Sequence, residues 1–337
     1  MLMAESKVAA ESTFADWIAA RKGGVAITGA SGWIGSAVVH WLLQSLPTPD
    51  AVPLRLFGSA PRSLQIGGRR LAVESLSQAA PLGEGEWLML HLAVVGADRL
   101  DGDAERLMAA NDAVLAQALS LALTGAVRRF VYASSGAVYQ SGGSPQKRAY
   151  SEMKRAQEAA VQAWAAEAGA PMLIPRIFNV GGPYINHAAN YALGSFIEQA
   201  LEGGVIEIEA RQAVLRSYVH LFELARVLFE LCLVDDAGLV FDTAGVEVVE
   251  MADLAQAVRA AFGLDLEIRR PPLAPGVDRY VGDGRIYQAA VARGPGEPIG
   301  LDRIVRDTAD YMRGLTPGVG PRPVGPGPSR TAAASGG

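Results

Sequence analysis

Cysteine is almost absent from this chain: Cys232, inside the apolar run LFELCLV, is the only one in 337 residues. A single thiol forms no internal disulfide, and without a CxxC pair no thiolate zinc site is expected. Cys232 itself reads as a buried free thiol. Histidine is scarce as well, and His40, His91, His187 and His220 do not pair at ligand spacing, so no metal site is expected. No dense Lys/Arg run occurs and the net charge is −5. That argues against a nucleic-acid partner, because neutralising phosphates takes a basic face. No stretch of about 18 uncharged apolar residues is present, so no membrane span is expected. The first twenty residues carry three acids and no long apolar core, unlike a secretory signal, and the expected compartment is the cytoplasm.

What is present is an ordinary globular balance, half hydrophobic and 19% charged. From residue 24 onward, short apolar runs alternate with helical spacing. Gly24 to Thr28, Pro53 to Phe57, Leu71 to Val73, Trp87 to Ala93, Arg129 to Ala133 and Met172 to Ile177 read as strands. Trp33 to Leu46, Asp103 to Leu123 and Ser151 to Gly169 read as helices. Repeated strand–helix–strand units with right-handed crossovers predict an α/β fold, a Rossmann-type doubly wound parallel sheet. Beyond about residue 178 the pattern loosens into a smaller mixed α/β lobe. Helices are expected there at 190–203, 221–234, 250–263 and 301–313, with strands near 205–209, 214–219 and 238–242. The expected organisation is an N-terminal extension over 1–20 and a dinucleotide-binding domain over 21–178, to which residues about 214–242 return. A substrate lobe over 179–315 and a disordered Pro/Gly/Ser-rich tail over 316–337 complete it.

TGASGWIG, Thr28 to Gly35, follows the first strand and opens the first helix. Its glycines suit a tight turn at Gly29, close approach of a pyrophosphate at Gly32, and helix–sheet packing at Gly35. The helix N-terminus faces the anion. Gly29, Ser31, Gly32, Trp33, Ile34 and Gly35 are therefore candidate cofactor contacts. After the second strand, where an acid ordinarily holds the ribose hydroxyls, stand Gly58 and Ser59 with Arg62 close by. A small residue and an arginine accept a 2′-phosphate instead, which favours NADP over NAD.

Tyr150 and Lys154 form YSEMK, so on a helix the phenol and the ammonium share one face. A nearby cation is expected to lower the tyrosine pKa and make it a usable general acid/base, while Lys154 can also bond a nicotinamide ribose. With nine tyrosines and only four lysines, chance matches to YxxxK number roughly 0.1. A strand ending in Ser134 and Ser135 precedes this helix, and a serine there can hold a substrate oxygen against Tyr150. Ser135, Tyr150 and Lys154 are the candidate catalytic residues.

Together these residues resemble the extended short-chain dehydrogenase/reductase family, above all its nucleotide-sugar epimerases and reductases, over about residues 22–313. HLAVVG, His91 to Gly96, is similar to the family's HLAA segment, which implies Leu92 and Ala93 on the nicotinamide side. Asn111 is similar to an asparagine common in the following helix, and implies a further cofactor contact. VYASSGAVY places Ser135, followed by Gly136, at the family's catalytic serine/threonine, beside the substrate. PRIFNVGGP resembles RxxNVYGP, which implies that Asn179 reaches the sugar diphosphate. RSYVHLFELA resembles RDYIHVxDLA, which implies Arg216 as a phosphate clamp, and DRYVGD implies a second phosphate reader in Arg279. The resemblance also implies a homodimer built on the two helices beside the site.

Two departures stand out. Only 15 positions separate Ser135 from Tyr150, and Gln140 to Ala149 lacks the acidic, Pro-rich loop that borders substrate in the family. Gly136 and Ala137 follow Ser135, where the family's sugar 4,6-dehydratases carry an acid, which argues against dehydratase chemistry. The leading expectation is an NADP-linked reductase of a nucleotide-linked keto sugar. The second is a nucleotide-sugar 4-epimerase with tightly bound NAD. A non-catalytic dinucleotide-sensing protein is the rival of another class, and the intact Ser/Tyr/Lys set speaks against it.

Overall fold

A computed structural model describes residues 23–48, 50–96, 103–233, 238–263 and 265–314. The expected N-terminal extension and C-terminal tail lie outside the described residues. The first half runs β1 (Gly24–Thr28), α1 (Trp33–Ser45), β2 (Leu54–Gly58), β3 (Arg62–Ile66), β4 (Arg69–Ser75) and β5 (Glu86–His91). It continues with α2 (Ala104–Ala122), β6 (Ala126–Tyr132), β7 (Ser134–Ser135), α3 (Pro145–Ala168) and β8 (Met172–Ile177). The second half holds β9 (Asn179–Gly181), α4 (Ala192–Leu201), β10 (Ile206–Glu207), β11 (Ala213–Arg216), β12 (Tyr218–His220) and α5 (Leu221–Cys232). Then come β13 (Gly238–Asp242), β14 (Val249–Glu250), α6 (Met251–Phe262), β15 (Ile268–Arg269), β16 (Val277–Tyr280), α7 (Arg285–Arg293) and α8 (Leu301–Met312).

Among the described residues, nine strands form the main sheet in the order β13-β8-β6-β5-β1-β2-β4-β3, with β7 beside β8. The pairings are parallel except β3 with β4. Strand alternation divides the apolar side chains between two faces. Val25, Ile27, Leu88, Leu90 and Val131 pack under α1 and α5; Ala26, Trp87, Met89 and Phe130 pack under α2 and α3. A third core, built from α4, α6 and α8, belongs to the smaller lobe. Cys232 is buried in the first core, and burial pushes its thiol up to about 12.

The structure differs from expectation in three places. Between β2 and β4 there is no crossover helix but a strand, β3, which returns antiparallel through Gly67 and Gly68. Both glycines have positive φ, +58° and +76°, the geometry of a tight hairpin turn that the pair Gly-Gly signals in sequence. Helix α3 begins at Pro145, not Ser151, because the Ser144 hydroxyl accepts from Lys147 N and proline occupies the first turn. Helix α7 and the short strands β9, β14, β15 and β16 are additions to the elements expected from periodicity.

The C-terminal ends of β1, β5 and β6 are joined by Leu92 N donating to Thr28 O (3.2 Å) and Ala133 N to His91 O (3.0 Å). His91 locks the same edge through its side chain, with Nδ1 2.8 Å from Thr28 Oγ1 and its ring stacked near Phe130 and Tyr132. Burial, helped by the charge of Lys154, lowers the His91 pKa to about 3. Between that value and the ordinary 6.5 the unfolded chain binds a proton that the folded chain refuses. The stability this neutral histidine contributes is therefore present above pH 6.5 and lost as pH falls toward 3, by about 1.4 kcal/mol per pH unit. His91→Asn is expected to flatten the acid limb of a urea-denaturation series run between pH 6.5 and 4. An unchanged slope would show that another group controls acid unfolding.

Candidate active site

The turn from β1 into α1 is built by steric need at two of its three glycines. Gly29 has φ +74°, and a Cβ there would lie 2.6 Å from Ala93 N, because the turn passes against the segment after β5. A Cβ on Gly35 would lie 2.1 Å from Gly29 O. Gly32 is different: only Gly29 O, at 3.3 Å, comes near, and the remaining space in front of it is open. Gly32 caps α1 without a side-chain hydrogen bond, and no acid stands in the first turn. The N–H groups of Trp33, Ile34 and Gly35 therefore have no intrahelical acceptor, and the helix dipole favours an anion there. This cradle fits the pyrophosphate of a dinucleotide. Trp33 is buried and its Nε1 donates to Pro183 O at 3.0 Å, tying the turn to the second half of the chain. Ser31 and Ile34 line the same turn, half-buried.

Ser59, just past β2, and Arg62, the first residue of β3, are exposed. The Arg62 side chain returns to Gly58, whose built Cβ would lie 3.0 Å from Nη2. Among the described residues no hydrogen bond or ion pair engages it. Leu92 and Ala93 sit half-buried past β5, against the glycine turn. Asn111 is placed otherwise than the resemblance implied. Its Oδ1 accepts from Val95 N (2.8 Å), and Nδ2 donates to Val95 O (3.1 Å) and Leu107 O (2.8 Å). Buried and fully engaged, it holds the loop after β5 and presents nothing to a cofactor.

Ser135 lies at the end of β7, and Tyr150 and Lys154 lie one helical turn apart on α3. The three converge. The Ser135 hydroxyl is close enough to the Tyr150 phenol to interact with it, accepts from Ala137 N (3.2 Å), and lies 3.3 Å from the Tyr280 hydroxyl. Lys154 Nζ sits 5.9 Å from the Tyr150 ring centre. It donates to Ala133 O (2.9 Å) and to Tyr132 Oη (3.1 Å), and Tyr132 in turn donates to Gln157 Oε1 (2.6 Å). Burial lowers the Lys154 pKa to about 8, against the attraction of Glu158.

One expectation is corrected here. Tyr150 is not lowered but raised to about 12, because burial outweighs the hydrogen bond from Ser135, and Tyr280 and Tyr191 add to the rise. The lysine charge does not reverse this, since its ammonium is aimed at Tyr132 and Ala133.

A polar chain braces the same strand ends. Glu158 accepts from Ser134 Oγ and pairs with Arg176 (2.7 Å). Arg176 donates to Tyr139 Oη (2.6 Å), which donates to Asp242 Oδ1 (2.9 Å). Gly136 packs against the Phe178 ring, which leaves no room for a Cβ.

The expected substrate residues fare unequally. Asn179 donates to Ser217 O (3.3 Å) and reaches Tyr280 O (3.5 Å). Arg216 pairs with Asp278, Nη2 to Oδ2 at 2.8 Å, so its guanidinium is already engaged. Arg279 is exposed and, by strand alternation, lies on the face of β16 opposite to Asp278 and Tyr280. The residue of DRYVGD that reaches Ser135 is its neighbour Tyr280, which sequence reasoning passed over. Tyr132 and Tyr191 were missed as well. The strand pattern of VDRY held the clue for Tyr280, whereas nothing local marked the others.

The NAD dependent epimerase/dehydratase family model matches residues 25–239. The chain belongs to that family. The glycine cradle agrees with it, and the chain is a nicotinamide-dependent enzyme of the short-chain dehydrogenase/reductase type. No curated protein matches it. Among solved structures, the UDP-N-acetylglucosamine 4-epimerase of Methanobrevibacter ruminantium is similar at 18% identity and a TM-score of 0.67, covering 88% of this chain and 100% of its own. The UDP-glucose 4-epimerase of Thermus thermophilus, complexed with NAD, is similar at 20% identity and a TM-score of 0.65, over 87% and 99%. The UDP-glucuronic acid 4-epimerase of Bacillus cereus gives 17%, 0.64, 88% and 98%. At such identities the likeness speaks for the fold, a Rossmann-type α/β sheet with its smaller lobe.

The two glycine geometries separate folding from binding. Gly35→Ala is expected to lose about 1–3 kcal/mol of stability through its clash with Gly29 O. Gly32→Ala is expected to fold normally yet bind a nicotinamide dinucleotide roughly tenfold more weakly or worse, by blocking the approach to the helix N-terminus. Thermal melting and fluorescence titration with NADH and NADPH check the pair. Undiminished dinucleotide binding by Gly32→Ala would remove the turn from the cofactor site.

Proposed function

We propose that this enzyme moves a hydride and a proton at one carbinol or ketone carbon of a nucleotide-linked sugar, and that it does so as a 4-epimerase. The observation that carries this reading is the meeting of the Ser135 hydroxyl and the Tyr150 phenol over buried Lys154, on the sheet edge that also holds the glycine cradle. A nicotinamide dinucleotide held at the glycine cradle would supply the hydride chemistry. Ser135 holds the substrate oxygen by donating a hydrogen bond. Tyr150 exchanges a proton with that oxygen. Lys154, itself held by Ala133 O and Tyr132, keeps a positive charge beside the phenol and offers its remaining N–H to the cofactor ribose. Gly29, Ser31, Gly32, Trp33, Ile34, Gly35, Leu92 and Ala93 would border the dinucleotide, and Asn179 and Arg216 the diphosphate.

The solved relatives favour the epimerase over the reductase that the ribose-reader position first suggested, since those named above are 4-epimerases of UDP-sugars. The reductase remains the second reading because of one residue. Arg62, free among the described residues at the start of β3 with its side chain beside Gly58 of β2, suits the 2′-phosphate of NADP. A homodimer across α2 and α3 belongs to the same reading.

Tyr150→Phe is expected to cut turnover of a UDP-hexose by about 100-fold or more, with the fold and dinucleotide binding unchanged. Turnover followed by sugar analysis, with no net change in nicotinamide absorbance, supports the epimerase; steady NADPH oxidation with a keto sugar supports the reductase. Full activity of Tyr150→Phe would remove Tyr150 from the proton transfer. Arg62→Ala is expected to weaken NADPH roughly tenfold and leave NADH unaffected. An unaltered NADPH/NADH ratio in competitive titration would exclude Arg62 as a phosphate reader.

A further inference from the structure

Three groups expected to hold the substrate, Ser135, Asn179 and Arg216, are all engaged by one short strand, β16. Its inward residues are Asp278 and Tyr280. The Asp278 carboxylate takes Arg216 Nη2 at 2.8 Å, and its carbonyl takes Nη1 at 3.0 Å, a bond Nη1 shares with Leu215 O. The Tyr280 carbonyl faces Asn179 Nδ2 at 3.5 Å. The Tyr280 hydroxyl stands 3.3 Å from Ser135 Oγ, its ring held by Phe178 at 4.6 Å. The strand lies along β11 in parallel register, with Tyr280 beside Arg216.

We propose that β16 is an internal occupant of the substrate site, with the Asp278 carboxylate standing where a phosphate binds and the Tyr280 hydroxyl where a sugar hydroxyl binds. The inference rests on the nucleotide-sugar reading above. Asp278 is then a specificity-determining residue. A guanidinium fork binds one oxyanion well, so a ligand reaches Arg216 only by out-competing the carboxylate. A diphosphate carries more charge than one carboxylate and competes, whereas a free sugar or simple ketone does not. The Asp278 side chain is 43% exposed, so an incoming anion can approach the pair from solvent. Release of Asp278 also frees the strand that carries Tyr280, which links phosphate binding to the opening of Ser135.

The experiment is calorimetric titration of the full chain with UDP. Removing the competitor in Asp278→Asn is expected to tighten UDP roughly tenfold, the scale of one charged hydrogen bond. Asp278→Ala, which lacks any side-chain acceptor, is expected to do the same and serves if the first variant folds poorly. Asp278→Glu is expected to stay near wild type. The gain must disappear when Arg216 is also changed to Met, because the competition is for that guanidinium. If wild type binds UDP but Asp278→Asn and Asp278→Ala bind it no more tightly, or the gain survives in Arg216→Met, the internal-occupant idea is overturned while the nucleotide-sugar reading stands. If no variant binds UDP, both fall together.

Discussion

Burying the Lys154 ammonium removes it from water, and the arrangement around it compensates for the lost hydration. Ala133 O at the end of β6 and the Tyr132 hydroxyl take two of its three N–H groups, and Tyr132 in turn donates a hydrogen bond to Gln157. Gln157 in turn donates to Asp112 Oδ1, which ties α3 to α2. The ammonium is thereby held to one helical face and one strand end. The Tyr150 phenol, one turn earlier on α3, is carried to Ser135 as a consequence. Glu158, one turn later, adds attraction and anchors Arg176 across β8. The catalytic proposal depends on this buried charge more than on any residue at the mouth of the site.

The site is also tense in electrostatic terms. Tyr150 is raised and Lys154 lowered, both by burial, so the phenol holds its proton tightly while the lysine holds its own less tightly than in water. These opposed shifts separate a proton donor from a charge beside it, which suits acid/base work on an oxygen held between Ser135 and Tyr150. The same enclosure brings β16 inward. Arg216 pairs with Asp278 and Tyr280 stands near Ser135, so the smaller lobe engages both groups from within.

Much of this was legible in the amino-acid sequence because it is local. Apolar runs with period two, helical spacing and a glycine turn between them identify the parallel sheet and its first crossover without any long-range knowledge. YSEMK places two side chains on one helical face by covalent geometry alone. The shorter elements were less legible. Gly67-Gly68 announced a hairpin, yet β3 was passed over, and Ser144-Pro145 announced a helix start that periodicity placed six residues late.

The fold class, the glycine turn and the Tyr/Lys pair were already fixed by the amino-acid sequence, since each follows from patterns among residues close along the chain. Only the tertiary structure decided what those groups face. Arg216 meets Asp278, Ser135 meets Tyr280, and Asn111 meets a backbone loop through contacts that span between 16 and 145 positions. Such partners are chosen by how layers pack and where strand ends align, and the same residue can clamp a phosphate or hold a carboxylate depending on which arrives first in space.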